Sequence, residues 1–496
     1  MKYSLPFLFL LTLGLSAPAA PQNGGLRDAY GPKFQPGIAV KRNVDPSIGL
    51  DAIHRWNLIA INATGLDHTP VSPGENRVFG EQLGPGRAAR AMAIIHIAIH
   101  DAINSALGNK DLFIGHQAPP RGAISADAAI AQGARDTLAA MFPSQTASFD
   151  LRLAEDLALI VNPVEKANGV ALGHSVAAAI LADRTNDGAQ IPEPVVGVDF
   201  FPSDQPGHWR QDPISQIPLA LGAHWGECRT FVLRSADQFR IPAPPAMTSA
   251  AYTTAYNEVK RLGGDGITTP TERTPEQTFI ANFWAYDGTP SLCAPPRFYN
   301  QILTTIADQT HLSALDLARL LALGNVAMAD AGMSSWESKF HWDFWRPIGG
   351  IRESDVGTGV TGLGDGNPNT VGDVTFVPLG APASNLTGPN FTPPFPTYPS
   401  GHATFGGAVF EVLRRFYHTD NMTFTLISDE YNGTTIDNGG HVRPFIPRTF
   451  TSFSQAEEEN GQSRIYLGIH WSFDKTQGIA QGRKVGAYVF DHALHH

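Results

Sequence analysis

Residues 463–474 read Ser463-Arg464-Ile465-Tyr466-Leu467-Gly468-Ile469-His470-Trp471-Ser472-Phe473-Asp474. Arg464 and His470, six apart, do not share a face of one helix, where neighbours recur at three and four residues. Gly468 is placed to end that helix, so His470 falls on the following turn and points back, and Asp474 is placed to cap the next helix. Two earlier segments offer matching chemistry. Pro399-Ser400-Gly401-His402 opens a helix, where unpaired backbone N–H groups point outward and a glycine lets a ligand approach the main chain. Lys339, at the end of a long helical stretch, is followed by Arg346-Pro347. Three permanent cations, two of them forked guanidiniums, with a hydroxyl, a helix-opening amide and two imidazoles describe a pocket for a highly charged, phosphate-like anion.

Outward from these segments the periodicity is helical. Arg87–Leu107 is small and apolar on nearly every face, as in a helix buried on most sides. Ser125–Met141 opens on a capping serine, Asn168–Asp183 is another helix, and Leu312–Lys339 opens with Ser313 as cap and Asp316 three residues on. Ile348–Tyr398, dense in Gly, Pro, Asn and Thr, reads as loop; His402–Tyr417 is helical again. Ser454 with Glu457 forms a capping-box pattern opening a helix towards Gly468. Strand signals are few and short, Thr423–Ile427 among them, and the βα alternation of a parallel sheet is missing. The expected fold is mainly α, helical bundles carrying long loops. Residues 1–20 form a signal segment, 21–300 an N-terminal helical region and 301–496 a C-terminal bundle with the anion motifs.

With 35 Lys+Arg against 46 Asp+Glu, the formal charge is −11; charged residues make up 16% and hydrophobic ones 42% of the 496. A folded chain with a large core is expected. The acidic balance excludes a general nucleic-acid or anionic-lipid binder, so anion capture must be local. Two cysteines exclude a Cys-rich zinc or iron–sulfur site. At the N-terminus, Lys2 precedes an apolar run from Leu5 to Leu15 and small residues at Ser16, Ala17, Ala19 and Ala20, the pattern of an export signal. No later stretch is apolar enough to span a membrane. Export makes Cys228 and Cys293 a candidate disulfide. It also makes the sequons at Asn62, Asn385, Asn390, Asn421 and Asn432 candidate glycosylation sites, with Asn385 and Asn390 favoured for their Gly/Pro-rich surroundings.

The three segments together, Lys339 to Arg346-Pro347, Pro399-Ser400-Gly401-His402, and Ser463-Arg464 to His470 and Asp474, resemble the superfamily shared by vanadium-dependent haloperoxidases and type 2 phosphatidic acid phosphatases. The resemblance covers residues 339–474 and implies that Lys339, Arg346, Ser400, Gly401 and Arg464 hold vanadate or phosphate oxygens. His470 would bind vanadium in the peroxidases, or be the phosphorylated nucleophile in the acid phosphatases; His402 would be the general acid/base. Trp336, one turn before Lys339, and Phe395, set among prolines, look like the apolar halide pocket of fungal vanadium chloroperoxidases. These, and the long N-terminal region, favour the peroxidase branch. Vanadate as cofactor, with hydrogen peroxide and chloride or bromide as substrates and hypohalous acid as product, is what the resemblance implies. In it Lys339 polarises the bound oxidant and His402 moves its proton.

A ligating histidine needs a partner on its other nitrogen, and Asp474 is the motif's candidate. Asp287, in Phe283-Trp284-Ala285-Tyr286-Asp287-Gly288, is a further candidate, as a partner of Arg464. His96, His100 and Asp101 stand at ligand-like spacing on an apolar helix, but without the Glu of a zinc motif they read as core residues. His441 and Arg443 read as loop residues, and His492, His495 and His496 as an exposed tail.

Overall fold

Serines and asparagines that accept backbone N–H groups mark where the helices begin. The computed structural model describes residues 25–36, 47, 49–108, 111–115 and 120–495; the expected export signal lies outside the described residues. In chain order the helices are α1 Leu26–Tyr30, α2 Ala52–Asp67, α3 Gly84–Ala106, α4 Ala126–Met141, α5 Thr146–Leu159, α6 Pro163–Asp183 and α7 Ala250–Leu262. They continue with α8 Pro275–Phe283, α9 Pro296–Gln309, α10 Ala314–Trp342, α11 Pro347–Arg352, α12 Gly401–Tyr417, α13 Phe453–Tyr466 and α14 Ser472–His492. Among the described residues strand is confined to two short antiparallel pairs: β1 Gln35–Pro36 with β2 Leu386–Thr387, and β3 Phe424–Leu426 with β4 Arg448–Phe450. The chain is mainly α, with long loops.

Ser125 caps α4 through the Ala128 amide and Ser313 caps α10 through that of Asp316, as their positions predict. Elsewhere the caps move. α6 begins five residues before the expected start, because Asn162 accepts from the amides of Val164 and Glu165 and Pro163 fits the first turn. α13 is capped by Ser452, not Ser454: the Ser454 hydroxyl donates instead to Asp420 (2.8 Å), and Glu457 is taken by Arg414 and Arg483. Asp474 is not the cap of α14 but lies in its first turn, where Oδ2 accepts the Trp471 amide at 3.0 Å. Within the stretch expected to be loop, Arg346-Pro347 starts the one-turn-and-a-half helix α11.

α3 is buried on almost every face, as expected, and packs on α4 and α10; α10 in turn packs on α12 and α14. The tightest crossing is α12 on α14. A Cβ on Gly482 would stand 2.1 Å from the Thr404 carbonyl oxygen, so only glycine lets the two backbones meet there. This contact sets the start of α12, with Ser400 and His402, beside the start of α14, with Asp474; the Ser400 amide donates to the Asp474 carbonyl at 3.1 Å. One apolar core runs through α2, α3, α4, α9, α10, α12 and α14. From the other end of the chain, the segment after α1 crosses over so that β1 pairs with β2 in the loop before α12.

Two sequence expectations are corrected here. Cys228 and Cys293 are free and buried in separate clusters, Cys228 in the main core and Cys293 with Ala88 and Ala294, so the expected disulfide is not formed. Asn385 and Asn390 are half-buried with their amides bonded to the Pro290 and Leu379 carbonyls, because their loop folds back on itself; Asn421 is the exposed sequon asparagine. His96 is held by the Met92 carbonyl (2.8 Å) and Asn57 (2.9 Å) in the core, and burial pushes it down to about 4. No described helix is long and apolar enough to cross a membrane.

One surface staple carries a pH signature. Asp51 caps α2 and its Oδ2 stands 2.5 Å from His54 Nδ1, while His54 Nε2 stands 2.7 Å from Asp308 on α9. The Asp51 bond, with Asp308 adding, raises His54 from 6.5 to about 9. A raised pKa stabilises the fold fully below the unfolded value and loses that contribution as pH rises through the folded value. The gap in melting temperature between wild type and His54→Gln is therefore expected to be widest at pH 5–6 and to close by about pH 10; a gap independent of pH would refute the charged pairing.

Candidate active site

The three cationic segments and the loop before α12 converge on one buried point. Lys339, near the end of α10, is fully buried, and its ammonium meets the carbonyls of Pro396 (3.0 Å), Thr397 (3.0 Å) and Pro399. Its three N–H groups are thus all committed to the turn that precedes α12. The same ammonium lies 5.5 Å from the Trp336 ring centre and 5.1 Å from that of Phe395, and those two rings are 4.8 Å apart. Burial, and then the neighbouring Arg346, pulls the Lys339 ammonium below its usual range.

Arg346 immediately precedes α11 and sends its side chain elsewhere. Its Nε donates to the Phe395 carbonyl and Nη1 to that of Ile469, each at 2.9 Å, and Nη1 also faces His470 Nε2 at 3.4 Å. Burial lowers this guanidinium to about 9. Arg464 is fully buried on α13; its Nη2 meets both Asp287 oxygens at 2.7 Å. Asp287 is pushed up by burial, against the pull of Arg464. The loop residue flagged by its position in the sequence is therefore the buried partner of the arginine.

Both histidines have assignable protons. His402 Nε2 is 2.5 Å from the Ala285 carbonyl, which can only accept, so Nε2 carries the hydrogen and Nδ1, 3.9 Å from Asp287, carries the lone pair. His470 Nδ1 is 2.9 Å from Asp474 Oδ2 and 3.0 Å from the Thr397 hydroxyl, leaving Nε2 turned to Arg346. Burial drives both imidazoles well below 6.5, with Arg464 adding for His402 and Arg346 for His470. Asp474 is raised to about 7 by burial, opposed by Thr397 and the Trp471 amide.

A narrow cavity of about 60 Å³, room for a few water-sized molecules, reaches this point. Its polar end is made by Asp287, Gly401, His402, Arg464 and His470; the rest is mostly apolar, with Trp336, Phe395, Phe405, Leu221 and Phe391 joined by Tyr30 and His68. Ser400 is buried at the cap of α12, where its hydroxyl accepts the Ala403 amide. Nothing in the sequence pointed to Tyr30 and His68 on the cavity wall, to Thr397 between His470 and Asp474, or to the Ala285 carbonyl on His402. Tyr30 arrives with the N-terminal crossover and the others act through long-range or main-chain contacts.

The N-terminal half also fixes the aromatic wall. Trp336 Nε1 donates to the Leu221 carbonyl (3.0 Å), and the Leu221 amide donates to Pro394 (2.9 Å). Gly222, at φ +81°, lies so close that a Cβ would stand 2.2 Å from Trp336 Cδ1. Gly222→Ala is expected to displace the indole and cost about 2–4 kcal/mol from overpacking plus left-handed strain, seen as a lower melting temperature and altered tryptophan emission; unchanged values for both would refute the contact.

Do these residues suit an oxyanion with a metal centre? Two buried guanidinium nitrogens, Arg346 Nη2 and Arg464 Nε, have no acceptor among the described residues. Leaving such charged donors unpaired costs roughly 1–3 kcal/mol each or more, which an oxyanion between them removes. His470 Nε2 offers a lone pair beside them. The set fits vanadate: forked donors for its oxygens and one imidazole nitrogen for the metal.

A mainly helical bundle around a buried cationic pocket is the arrangement expected of a vanadium-dependent haloperoxidase. Residues 319–496 match the family described as the VCPO second helical-bundle domain. Over 84% of its length the chain is 32% identical to a vanadium chloroperoxidase of Curvularia inaequalis, 78% of which is covered. Among solved structures it is similar to the first bacterial vanadium-dependent iodoperoxidase, with TM-score 0.68 and 25% identity over 89% of this chain and 96% of that one. A holo-type bacterial vanadium-dependent chloroperoxidase shares the fold, with TM-score 0.58 and 17% identity over 92% and 98% of the two chains. The chain belongs to the vanadium-dependent haloperoxidase family.

Proposed function

We propose that the protein oxidises halide with hydrogen peroxide to hypohalous acid, using vanadate held by Arg346, Arg464, Ser400, Gly401 and His470. The observation that carries this reading is the pair of buried guanidinium nitrogens without an acceptor among the described residues, beside a histidine nitrogen whose lone pair faces only a long contact with Arg346 (3.4 Å). When bound, vanadate supplies a Lewis acid that makes peroxide electrophilic without changing its own oxidation state.

The protein's own groups do the rest. Arg346 and Arg464 neutralise negative charge in a site where burial makes each hydrogen bond count. His402 Nδ1 is a basic nitrogen on the cavity wall whose partner nitrogen is tied down and which is not the nitrogen assigned to the metal, so it accepts the proton of incoming peroxide and returns it to the leaving oxygen. Trp336 and Phe395 strip water from the halide. Lys339 supports rather than touches this chemistry as long as its three carbonyl bonds stand, which shifts the role expected for it from polarising the oxidant to holding the 396–399 turn. Asp474 and Asp287 orient His470 and Arg464. The phosphatase alternative is not favoured, because the relatives similar to this chain are peroxidases. Export belongs to the proposal and rests on the N-terminal pattern; N-terminal sequencing of protein recovered from culture medium tests it.

The decisive experiment follows dye halogenation with peroxide and chloride, bromide or iodide, with and without added vanadate. Vanadate-dependent turnover with at least one halide is expected. Tight vanadate binding with no turnover on any of the three would overturn the assignment.

A further inference from the structure

We propose that Thr397 is a positioning residue for the reaction: its hydroxyl fixes the Asp474–His470 pair so that His470 presents Nε2, and no other nitrogen, as the vanadium ligand. The inference rests on the reading of His470 as that ligand, but its geometry is independent of it.

Thr397 is itself immobile. It is fully buried, its amide donates to the Phe344 carbonyl at 3.0 Å and its carbonyl accepts from Lys339 at 3.0 Å. The side chain then has one direction to take, between Asp474 and His470. Proton counting gives a single arrangement. Arg346 can only donate, so His470 Nε2, 3.4 Å from Nη1, is an acceptor, and Nδ1 must carry the ring hydrogen. Asp474 Oδ2 receives that hydrogen at 2.9 Å and the Trp471 amide at 3.0 Å. The Thr397 oxygen sits against the same Oδ2 and 3.0 Å from Nδ1; with Nδ1 protonated, its hydrogen can go only to the carboxylate. Asp474 Oδ1 has no hydrogen-bond partner among the described residues. All three donors therefore gather on one oxygen, and that oxygen faces the imidazole. Without the hydroxyl, the carboxylate loses its only side-chain donor other than His470 and is free to turn its bare Oδ1 towards the ring. Lys339 is linked to the same device through the Thr397 carbonyl, so one residue registers a cation and a ligand.

The arrangement serves a metal more than a simple anion. Phosphate would take only the guanidinium and amide donors, whereas vanadate also takes the His470 lone pair. Removing an outer partner of a metal-ligating histidine weakens metal affinity by about 10–100-fold.

The test compares equilibrium binding of orthovanadate and inorganic phosphate to wild type, Thr397→Val and Thr397→Ser. Thr397→Val is expected to lose vanadate affinity by about 10–100-fold while phosphate affinity stays near wild type, and Thr397→Ser should restore vanadate binding. Equal loss for both anions, or failure of serine to rescue, would reduce Thr397 to packing and overturn the inference; so would a Val variant that binds vanadate as wild type does. If wild type itself binds vanadate no more tightly than phosphate, it is the ligand role of His470 that fails. Should the Val variant not fold, ¹⁵N-histidine NMR of the vanadate-free wild type decides: His470 protonated at Nδ1 is expected, and an Nε2–H tautomer would overturn the proposal.

Discussion

Arg464→Leu should lose about 3–5 kcal/mol of folding stability as well as its anion, because it strips a buried carboxylate of its counter-charge. Arg464 is fully buried and gives both Nη2 bonds to Asp287, which is itself almost wholly enclosed. The guanidinium has two tasks: Nη2 keeps Asp287 ionised in a place where burial favours its neutral form, and Nε, without a protein partner, is left for the ligand. The two tasks separate in a double variant. Arg464→Leu/Asp287→Leu removes the charge pair whole, and replacing a buried pair by apolar groups is often neutral, so most of the lost stability should return. The anion affinity should not return, since one charge-assisted donor worth about 1.5–3 kcal/mol is still missing, a loss of roughly 10–100-fold. Thermal unfolding and vanadate titration of the three proteins measure both. A double variant no more stable than the single one would show that the ion pair is not what Arg464 contributes to the fold.

The anion-binding motifs were legible because each is local: a cap, a glycine and a fixed spacing put Arg464, His470 and Ser400-Gly401-His402 at helix ends whatever the rest of the chain does. Asp287 was visible only as an acidic residue in an aromatic loop, and nothing local ties it to Arg464, 177 positions away. Thr397 and the Ala285 carbonyl were not legible at all. A main-chain carbonyl has no identity in the sequence, and the Thr397 hydroxyl matters only because α14 brings Asp474 beside it. The same cause hid the partners of Lys339. Its positive charge is plain from the residue type, but its three carbonyl partners belong to a turn whose path the Gly/Pro-rich stretch does not announce. The caps that shifted, Ser454 to Ser452 and Asp474 from the cap into the first turn, did so because a tertiary partner outbid the local one: Asp420 for the serine, His470 and Thr397 for the aspartate. The expected exposure of Asn385 and Asn390 fails for the opposite reason. A stretch rich in Gly and Pro is loop, but here the loop packs over the pocket, and its asparagines are used inside.

His402→Gln separates proton transfer from architecture. The glutamine amide can still donate to the Ala285 carbonyl that now holds Nε2 at 2.5 Å, and the His402 carbonyl bonds to Tyr299 (2.8 Å) and Asn460 (2.9 Å) are untouched by the side chain. The start of α12 should therefore keep its shape and vanadate affinity should fall only a few-fold. What glutamine cannot do is take and return a proton at the position of Nδ1, and a positioned general base contributes about 10²–10⁴-fold. Halide oxidation by the vanadate-loaded variant is expected to drop by that factor, and His402→Ala by at least as much. The ionisation of the free protein supplies an independent check. Burial and the nearby Arg464 disfavour the imidazolium, so the His402 proton-uptake midpoint lies well below 6.5 and the ring stays neutral, with its base available, through the whole range where an exposed histidine would be charging. Histidine NMR of vanadate-free protein should show one ring, absent in the Gln variant, with its Nε2 proton retained and no titration between pH 7 and 6. A Gln variant with wild-type turnover, or a His402 that protonates near 6.5, would remove it from the reaction and leave at the polar end only His470, whose Nε2 faces Arg346 and is assigned to the metal.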